Sequence, residues 1–132
     1  MINFEGLADA STSTQLPAGT YAFGIDSVNP EYASPTKGTK GLEVKCHVID
    51  GVEFDDGSST IGLQRTLRLW YPNKDQKDQG KFCLGRLNEF AQACGLDTSE
   101  NEFEENDLVG ASFKCRCRIK DDNEDFDKFG PF

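Results

Sequence analysis

Four stretches of this 132-residue chain alternate apolar and polar residues with a period of two, and this pattern constrains the fold more than any other feature. Successive side chains of a β-strand point to opposite faces, so such alternation is typical of strands with one buried face. Ten phenylalanines in a chain with 36% hydrophobic residues fit a core of aromatic and β-branched side chains. The stretches are Tyr21–Val28, Leu42–Ile49, Ile61–Tyr71 and Ala111–Lys120.

A helical pattern occurs between the third and fourth stretches. From Lys81 to Cys94 apolar residues recur at spacings that mark one face of a helix, and Gly95 fits its C-terminal end. The segment Glu104–Gly110 is expected to add a short turn. Three strands, a helix and a fourth strand, with a fifth available near the C-terminus, follow the order of an oligonucleotide-binding (OB) barrel. The sequence therefore predicts a mainly β fold, a five-stranded OB-like barrel with one α-helix between strands 3 and 4.

The length predicts one domain with two distinct ends. Residues 1–15 are polar and rich in Ser and Thr, which is typical of a flexible N-terminal arm, and residues 16–120 form the predicted OB-like domain. Residues 121–132 are either an acidic C-terminal tail or the final strand. No apolar run approaches the ~20 residues that cross a bilayer, and the start, MINFEGLADAS, lacks the blocks of a signal peptide. A cytoplasmic protein without membrane contact is therefore expected.

Neither a cofactor nor catalysis is predicted. Five cysteines without a regular spacing are expected to be reduced thiols, and Cys115 and Cys117 share a strand face as small buried apolar residues. The alternative is a zinc site in which Cys115, Cys117 and the adjacent Cys46 and His47 are the ligands. The spacing of these residues is not one that structural zinc sites usually have. The single histidine has no recognisable catalytic signature around it, which argues against an enzyme.

The net charge of −9 argues at first against nucleic acid, because phosphate contacts need Lys and Arg. The acids are concentrated, however. Six lie between Asp97 and Asp107 without a base, and five lie between Asp121 and Phe132 against Lys128 alone. Outside these two segments 12 acids face 13 bases. The rest of the chain is thus nearly neutral, and its bases can gather on one surface.

The polar faces of three predicted strands collect basic residues and the only tryptophan. A single-stranded nucleic acid needs a cationic groove for its backbone and exposed rings on which its bases stack. The candidate binding residues on these faces are Lys45, His47, Arg68, Trp70, Lys114, Arg116 and Arg118. A predicted loop at Asn29–Gly41 adds Tyr32, Lys37 and Lys40, with Tyr32 as a candidate second stacking ring.

Two other interpretations of these residues remain open. A single tryptophan is often a core residue, although the polar phase of its strand face argues against this for Trp70. Basic residues that alternate along a strand, as Lys114, Arg116 and Arg118 do, also protect the edge of a sheet from pairing with another chain.

The body contains four short motifs, which are Leu16-Pro-Ala-Gly-Thr-Tyr21, the stretch Gly41-Leu-Glu-Val, the helix end Ala93-Cys-Gly-Leu96, and Asp107-Leu-Val-Gly110 before a basic strand. They are similar to an uncharacterised phage family found among replication and recombination functions. Together with the C-terminal residues, they make the chain resemble the small single-stranded DNA-binding proteins of bacteriophages. The resemblance covers about residues 16 to 120. It implies a sequence-nonspecific single-stranded DNA-binding protein of phage replication or recombination, located in the cytoplasm of the infected bacterial host. A homodimer is a candidate assembly.

The last twelve residues, DDNEDFDKFGPF, are similar to the acidic C-terminal peptides of bacterial and phage single-stranded DNA-binding proteins. In those proteins the terminal Phe enters a pocket on partner enzymes and the acids dock on basic surfaces. The resemblance implies that phage or host replication and recombination proteins bind here. The implied partner-binding residues are Asp121, Asp122, Glu124, Asp125, Asp127, Pro131 and Phe132.

The same segment also fits a structural role. Asp121–Asp125 then forms a hairpin turn and Phe126–Phe129 forms the closing strand of the barrel, so that the acids are turn residues. A second function class stays open as well, an acidic protein-interaction module or DNA mimic that does not bind nucleic acid.

Overall fold

We describe residues 1–3, 15–72 and 77–130 of a computed structural model of the protein. The elements, in chain order, are β1 (Gly19–Ala33), β2 (Lys40–Asp50), β3 (Gln64–Trp70), α1 (Lys77–Ala93), a short 3-10 helix (Glu105–Asp107), β4 (Ser112–Lys120) and β5 (Asn123–Gly130). This confirms the predicted mainly β fold with one α-helix between the third and fourth strands of the described chain.

The five strands form one antiparallel sheet in the order β3-β2-β1-β4-β5. The sheet does not close, because the edge strands β3 and β5 are not paired with each other. The predicted barrel is therefore realised only loosely. Helix α1 contacts β3, β4 and β5, and an ion pair between Arg65 of β3 and Glu124 of β5 joins the two edges.

The core of the described residues contains five buried aromatic rings beside nine Leu, Ile and Val side chains, six of which are leucines. Phe90 of α1 packs edge-to-face on Phe113 of β4 and Phe129 of β5, with centroids 5.0 and 5.3 Å away. Phe23 of β1 stacks on Phe113 at 5.5 Å. Each of these four rings is at most 2% exposed. The helix is thus fixed to the sheet through the two C-terminal strands.

The acidic C-terminal segment is a hairpin and a strand, which decides between the two structures predicted for it. Asp121 and Asp122 have φ values of 52° and 62° and form the turn, and β5 pairs with β4 along its whole length. Phe129 lies in the core with 2% exposure. A free acidic tail is therefore wrong for residues 121–130. Residues 131 and 132, Pro131 and Phe132, lie outside the described residues, as do residues 4–14 of the predicted arm.

Several boundaries differ from the prediction. β1 continues to Ala33, so the predicted loop at Asn29–Gly41 is reduced to a tight turn, in which the Gly38 amide donates to the Ser34 carbonyl at 2.8 Å. β3 begins at Gln64 because Gly62, at φ 94°, interrupts the extended backbone. Ile119 has the same alternation phase as Cys115 and Cys117, for which burial was predicted, but it is 42% exposed near the end of β4.

The cysteines are free, and Cys46, Cys115 and Cys117 are buried. Burial raises the pKa of the Cys46 thiol to about 12 and that of Cys117 to about 11, so these thiols stay protonated and behave as small apolar residues. Within residues 1–3, 15–72 and 77–130, no cluster of three or more His, Cys, Asp or Glu side chains has the arrangement of a metal site. No helix of the described chain has the length and apolarity needed to span a membrane.

Candidate nucleic-acid interface

Two aromatic rings and an arginine meet on the outward face of the sheet. The rings of Tyr32 in β1 and Trp70 in β3 lie 5.9 Å apart at an interplanar angle of 44°. The guanidinium carbon of Arg68 lies 4.7 Å from the centroid of the Tyr32 ring, a cation–π distance. Both rings are half-buried and Arg68 is exposed. We call these three residues the aromatic cluster.

Gly41 of β2 makes this approach of the rings possible. It pairs with Tyr32 on one side and with Trp70 on the other, so that β2 runs between them. A Cβ atom at this position would lie 2.7 Å from the Leu69 carbonyl oxygen and 3.0 Å from Cε3 of the Trp70 ring. A glycine is required where another group lies this close to the backbone. This role of Gly41 was not predicted, although a glycine inside a strand pattern signals a close approach of another group to the backbone.

Arg68 is held from two sides. Its Nε donates to the Glu43 carboxylate at 3.3 Å across the β2–β3 pair, while its guanidinium lies over Tyr32. The Arg68 side chain remains 45% exposed, whereas Glu43 is 14% exposed. An arginine has five N–H donors, so an anion can approach the exposed side of this guanidinium without displacing the carboxylate. Glu43 was not predicted as the partner of Arg68.

Lys45 and His47 continue the same face of β2 toward the centre of the sheet. Lys45 is exposed between Ser27 of β1 and Thr66 of β3. His47 Nδ1 lies 2.9 and 3.0 Å from the carboxylate oxygens of Asp26, which occupies an irregularity in β1. Together these side chains line a polar depression of about 450 Å³. Asp26 offsets the charge of His47 when the imidazole is protonated.

The basic side chains predicted on the outward face of β4 do point outward, but acids of β5 pair with two of them. The Arg116 guanidinium is paired with the Asp127 carboxylate, and Arg118 Nε donates to Asp125 at 2.7 Å. Lys114 is exposed and takes part in a further interaction. The hydrogen bonds from Arg116 hold the pKa of Asp127 below its ordinary value. These arginines and acids, predicted as sites for DNA and for proteins, are thus each other's partners.

β4 is not an edge strand, because it pairs with β1 on one side and with β5 on the other. Protection of a sheet edge by Lys114, Arg116 and Arg118 is therefore wrong as an interpretation. The alternation serves instead to form cross-strand pairs with the acids of β5, a contact that stabilises a hairpin.

The remaining predicted residues are spread over both ends of the sheet. Lys37 and Lys40 are exposed at the β1–β2 turn, next in the chain to the aromatic cluster. Asp121 and Asp122 are exposed at the β4–β5 turn. Glu124 lies between the sheet edges, where it accepts from Arg65 Nε at 2.9 Å and from the Leu16 amide. It is therefore a structural group rather than an exposed acid.

No protein-family model matches this sequence, and comparison with curated proteins gives no significant match. What the chain binds must therefore be inferred from the chemistry of its own surface. On the outward face this surface offers two adjacent rings, a partly exposed guanidinium and exposed lysines at both sides of them. That combination suits a ligand with flat bases and a repeating negative backbone.

Proposed function

We propose that the protein binds single-stranded DNA without sequence preference and without catalysing a reaction on it. The observation that carries the proposal is the aromatic cluster, in which Tyr32, Arg68 and Trp70 lie together on a solvent-facing side of the sheet. Each base stacked on such a ring contributes about 1–3 kcal/mol, and every base has a face that can stack. Sequence tolerance follows from this mode of contact.

The proposed path of the strand follows the outward face. Bases stack at Trp70 and Tyr32, while Arg68, Lys40 and Lys45 contact phosphates on either side, and Lys37 extends the cationic rim at the β1–β2 turn. The depression at His47 lies further along the same face. Lys114 continues this path onto β4, whereas Arg116 and Arg118 contribute less because Asp127 and Asp125 compensate their charge. Binding of duplex DNA is disfavoured, because its bases are stacked on each other and cannot stack on these rings.

The biological setting follows from the resemblance to phage proteins. In this proposal the protein coats single strands during phage DNA replication or recombination in the cytoplasm of the bacterial host. The C-terminal segment contributes to recruitment of replication and recombination proteins through Asp121, Asp122 and the terminal Pro131 and Phe132. Asp125 and Asp127 contribute little to this role, because their carboxylates pair with β4 arginines.

Binding of labelled single-stranded and duplex oligonucleotides, followed by fluorescence anisotropy, tests the proposal. The double substitution Trp70→Ala with Arg68→Ala removes one stacking ring and one phosphate contact, which should cost about 2–4 kcal/mol, or ~30–1000-fold in affinity. Arg118→Ala is the matched control, because it removes a paired arginine of similar exposure on β4, outside the aromatic cluster. Tryptophan fluorescence of the unaltered protein should be quenched by single strands. Full retention of affinity in the double variant excludes the aromatic cluster as the site.

The net charge of −9 favours a second candidate, an acidic protein-interaction module or DNA mimic. Salt separates the two functions. Binding to DNA must weaken steeply as salt is added, because counterions are released from the phosphates. A DNA mimic binds no oligonucleotide at low salt and instead competes with DNA for a basic protein.

A further inference from the structure

A second concave surface lies on the opposite side of β3 from the aromatic cluster. It is a groove of about 940 Å³ between α1 and the segment 98–105, with strand residues at its base. Its apolar lining consists of Pro30, Leu42, Tyr71, Leu84, Leu87 and Phe103. Volumes of this size are typical of ligand sites, which are concave and mostly apolar.

The groove is fixed by the alternation of side chains along the end of β3. Tyr71 directly follows Trp70 and points to the other side of the sheet, where its hydroxyl donates to the Pro30 carbonyl at 2.6 Å. The ring is thereby held at the base of the groove. Because neighbouring residues of an extended chain point to opposite sides, a ligand in this groove does not obstruct a ligand on the aromatic cluster.

The helix side of the groove exposes apolar surface to solvent. Leu84, which lines it, is 59% exposed. A concave apolar surface with a polar rim is typical of interaction sites.

The rim of the groove is acidic. Glu102 and Glu105 line it, and they belong to the segment Asp97–Asp107, which carries six acids and no base. Lys81 is the cation among the described lining residues. Desolvation by burial raises the pKa of the Tyr71 phenol, and the nearby carboxylate of Glu105 raises it further. Glu105 therefore places negative charge close to the base of the groove. Nucleic acid is repelled here, whereas a basic segment is attracted.

We propose that this groove docks a basic amphipathic segment of a partner protein, with apolar side chains on Leu84 and Tyr71 and Lys or Arg side chains on Glu102 and Glu105. An amphipathic segment places its apolar face in such a groove while its charges meet the rim. The proposal stands whether or not the outward face binds single-stranded DNA. If both hold, the protein carries DNA on one side of β3 and a basic partner on the other.

The test measures anisotropy of a fluorescent peptide of about 14 residues, built from Leu and Lys at helical spacing to form a basic amphipathic helix. We expect saturable binding that Leu84→Asp weakens by about tenfold or more, because the leucine contact is lost and a carboxylate is placed against the apolar face of the peptide. Glu102→Lys should weaken it as well. Ile61→Asp and Glu53→Lys are the matched controls, since both positions are exposed outside the groove, and they should leave the affinity within about twofold.

Two further peptides separate a specific site from simple attraction to an acidic protein. A peptide with Ser in place of Leu tests the apolar contact, and one with Glu in place of Lys tests the charge. The proposal is overturned if either of these peptides binds as tightly as the peptide of Leu and Lys. It is also overturned if Glu102→Lys and Glu53→Lys weaken binding equally. So does a dimer in sedimentation that Leu84→Asp dissociates, because a second copy of the chain then fills the groove. Affinity for single-stranded DNA, measured on the same variants, should stay unchanged, which keeps this test separate from that of the outward face.

Discussion

Replacement of Arg65 by methionine should loosen the link between the two edge strands of the sheet. The guanidinium donates to Glu124 through Nε at 2.9 Å and through Nη2 at 3.0 Å, and the two side chains are only 17% and 16% exposed. Removal of one member of a fully buried pair costs about 3–5 kcal/mol. Because this pair keeps some contact with water, we expect about 2–3 kcal/mol. Methionine retains the apolar stem of the arginine, so packing loss adds little.

Chemical denaturation followed by circular dichroism measures this free energy of unfolding, and the midpoint of thermal unfolding should fall by about 6–15 °C. Arg118→Met is the control, because its half-exposed pair with Asp125 should contribute at most about 1 kcal/mol. A double-mutant cycle that combines Arg65→Met with Glu124→Gln should give a coupling energy of about 1 kcal/mol or more. A loss for Arg65→Met no larger than that of Arg118→Met, or strict additivity in the cycle, refutes the view that this pair joins the sheet edges.

Two predictions concern the C-terminal hairpin. A chain that ends at Lys120 should lose cooperative unfolding in a thermal melt, because it lacks β5 and the buried Phe129; native-like melting would contradict the assignment of this segment to the fold. In the folded protein the pKa of Asp127 lies below the ordinary value of 3.8, mainly because Arg116 donates hydrogen bonds to its carboxylate. The stabilisation that ionised Asp127 gives the folded state is therefore present above that value and is lost as the pH falls. The stability difference between the unaltered protein and Asp127→Asn, measured by denaturation at falling pH, should therefore shrink below about pH 4; a constant difference would contradict this.

The phase of each strand was predictable because alternation records which side faces the core. Leu67 and Leu69 are buried while Arg68 is exposed, and Cys115 and Cys117 are buried while Arg116 is exposed. The helix was predictable from its apolar spacing, although it begins at Lys77 rather than Lys81. Local patterns of this kind depend only on neighbours in the chain, which is why a single sequence is sufficient for them.

The pairing of charges was not predictable, because it depends on register between distant strands. Nothing near Arg68 in the chain indicates that Glu43, 25 residues away, lies opposite it. The composition of the last twelve residues is that of a solvated tail, yet Asp121 and Asp122 adopt positive φ values and return the chain along β4. Tyr32 was predicted in a loop, and only the extended pairing of β1 with β2 brings it beside Trp70.

The placement of the acids reconciles a net charge of −9 with the proposed DNA-binding surface. On β5, Asp125 and Asp127 are compensated by arginines of β4, so they add little to the field outside the protein. Two acids of the segment Asp97–Asp107, Glu102 and Glu105, line the groove on the other side of β3 from Trp70. A strand on the outward face therefore meets Arg68 and nearby lysines at short range, while repulsion from the distant acids is screened beyond about 10 Å at 0.1 M salt. In the proposed functions, the same separation lets one acidic chain attract a basic protein on one side and a polyanion on the other.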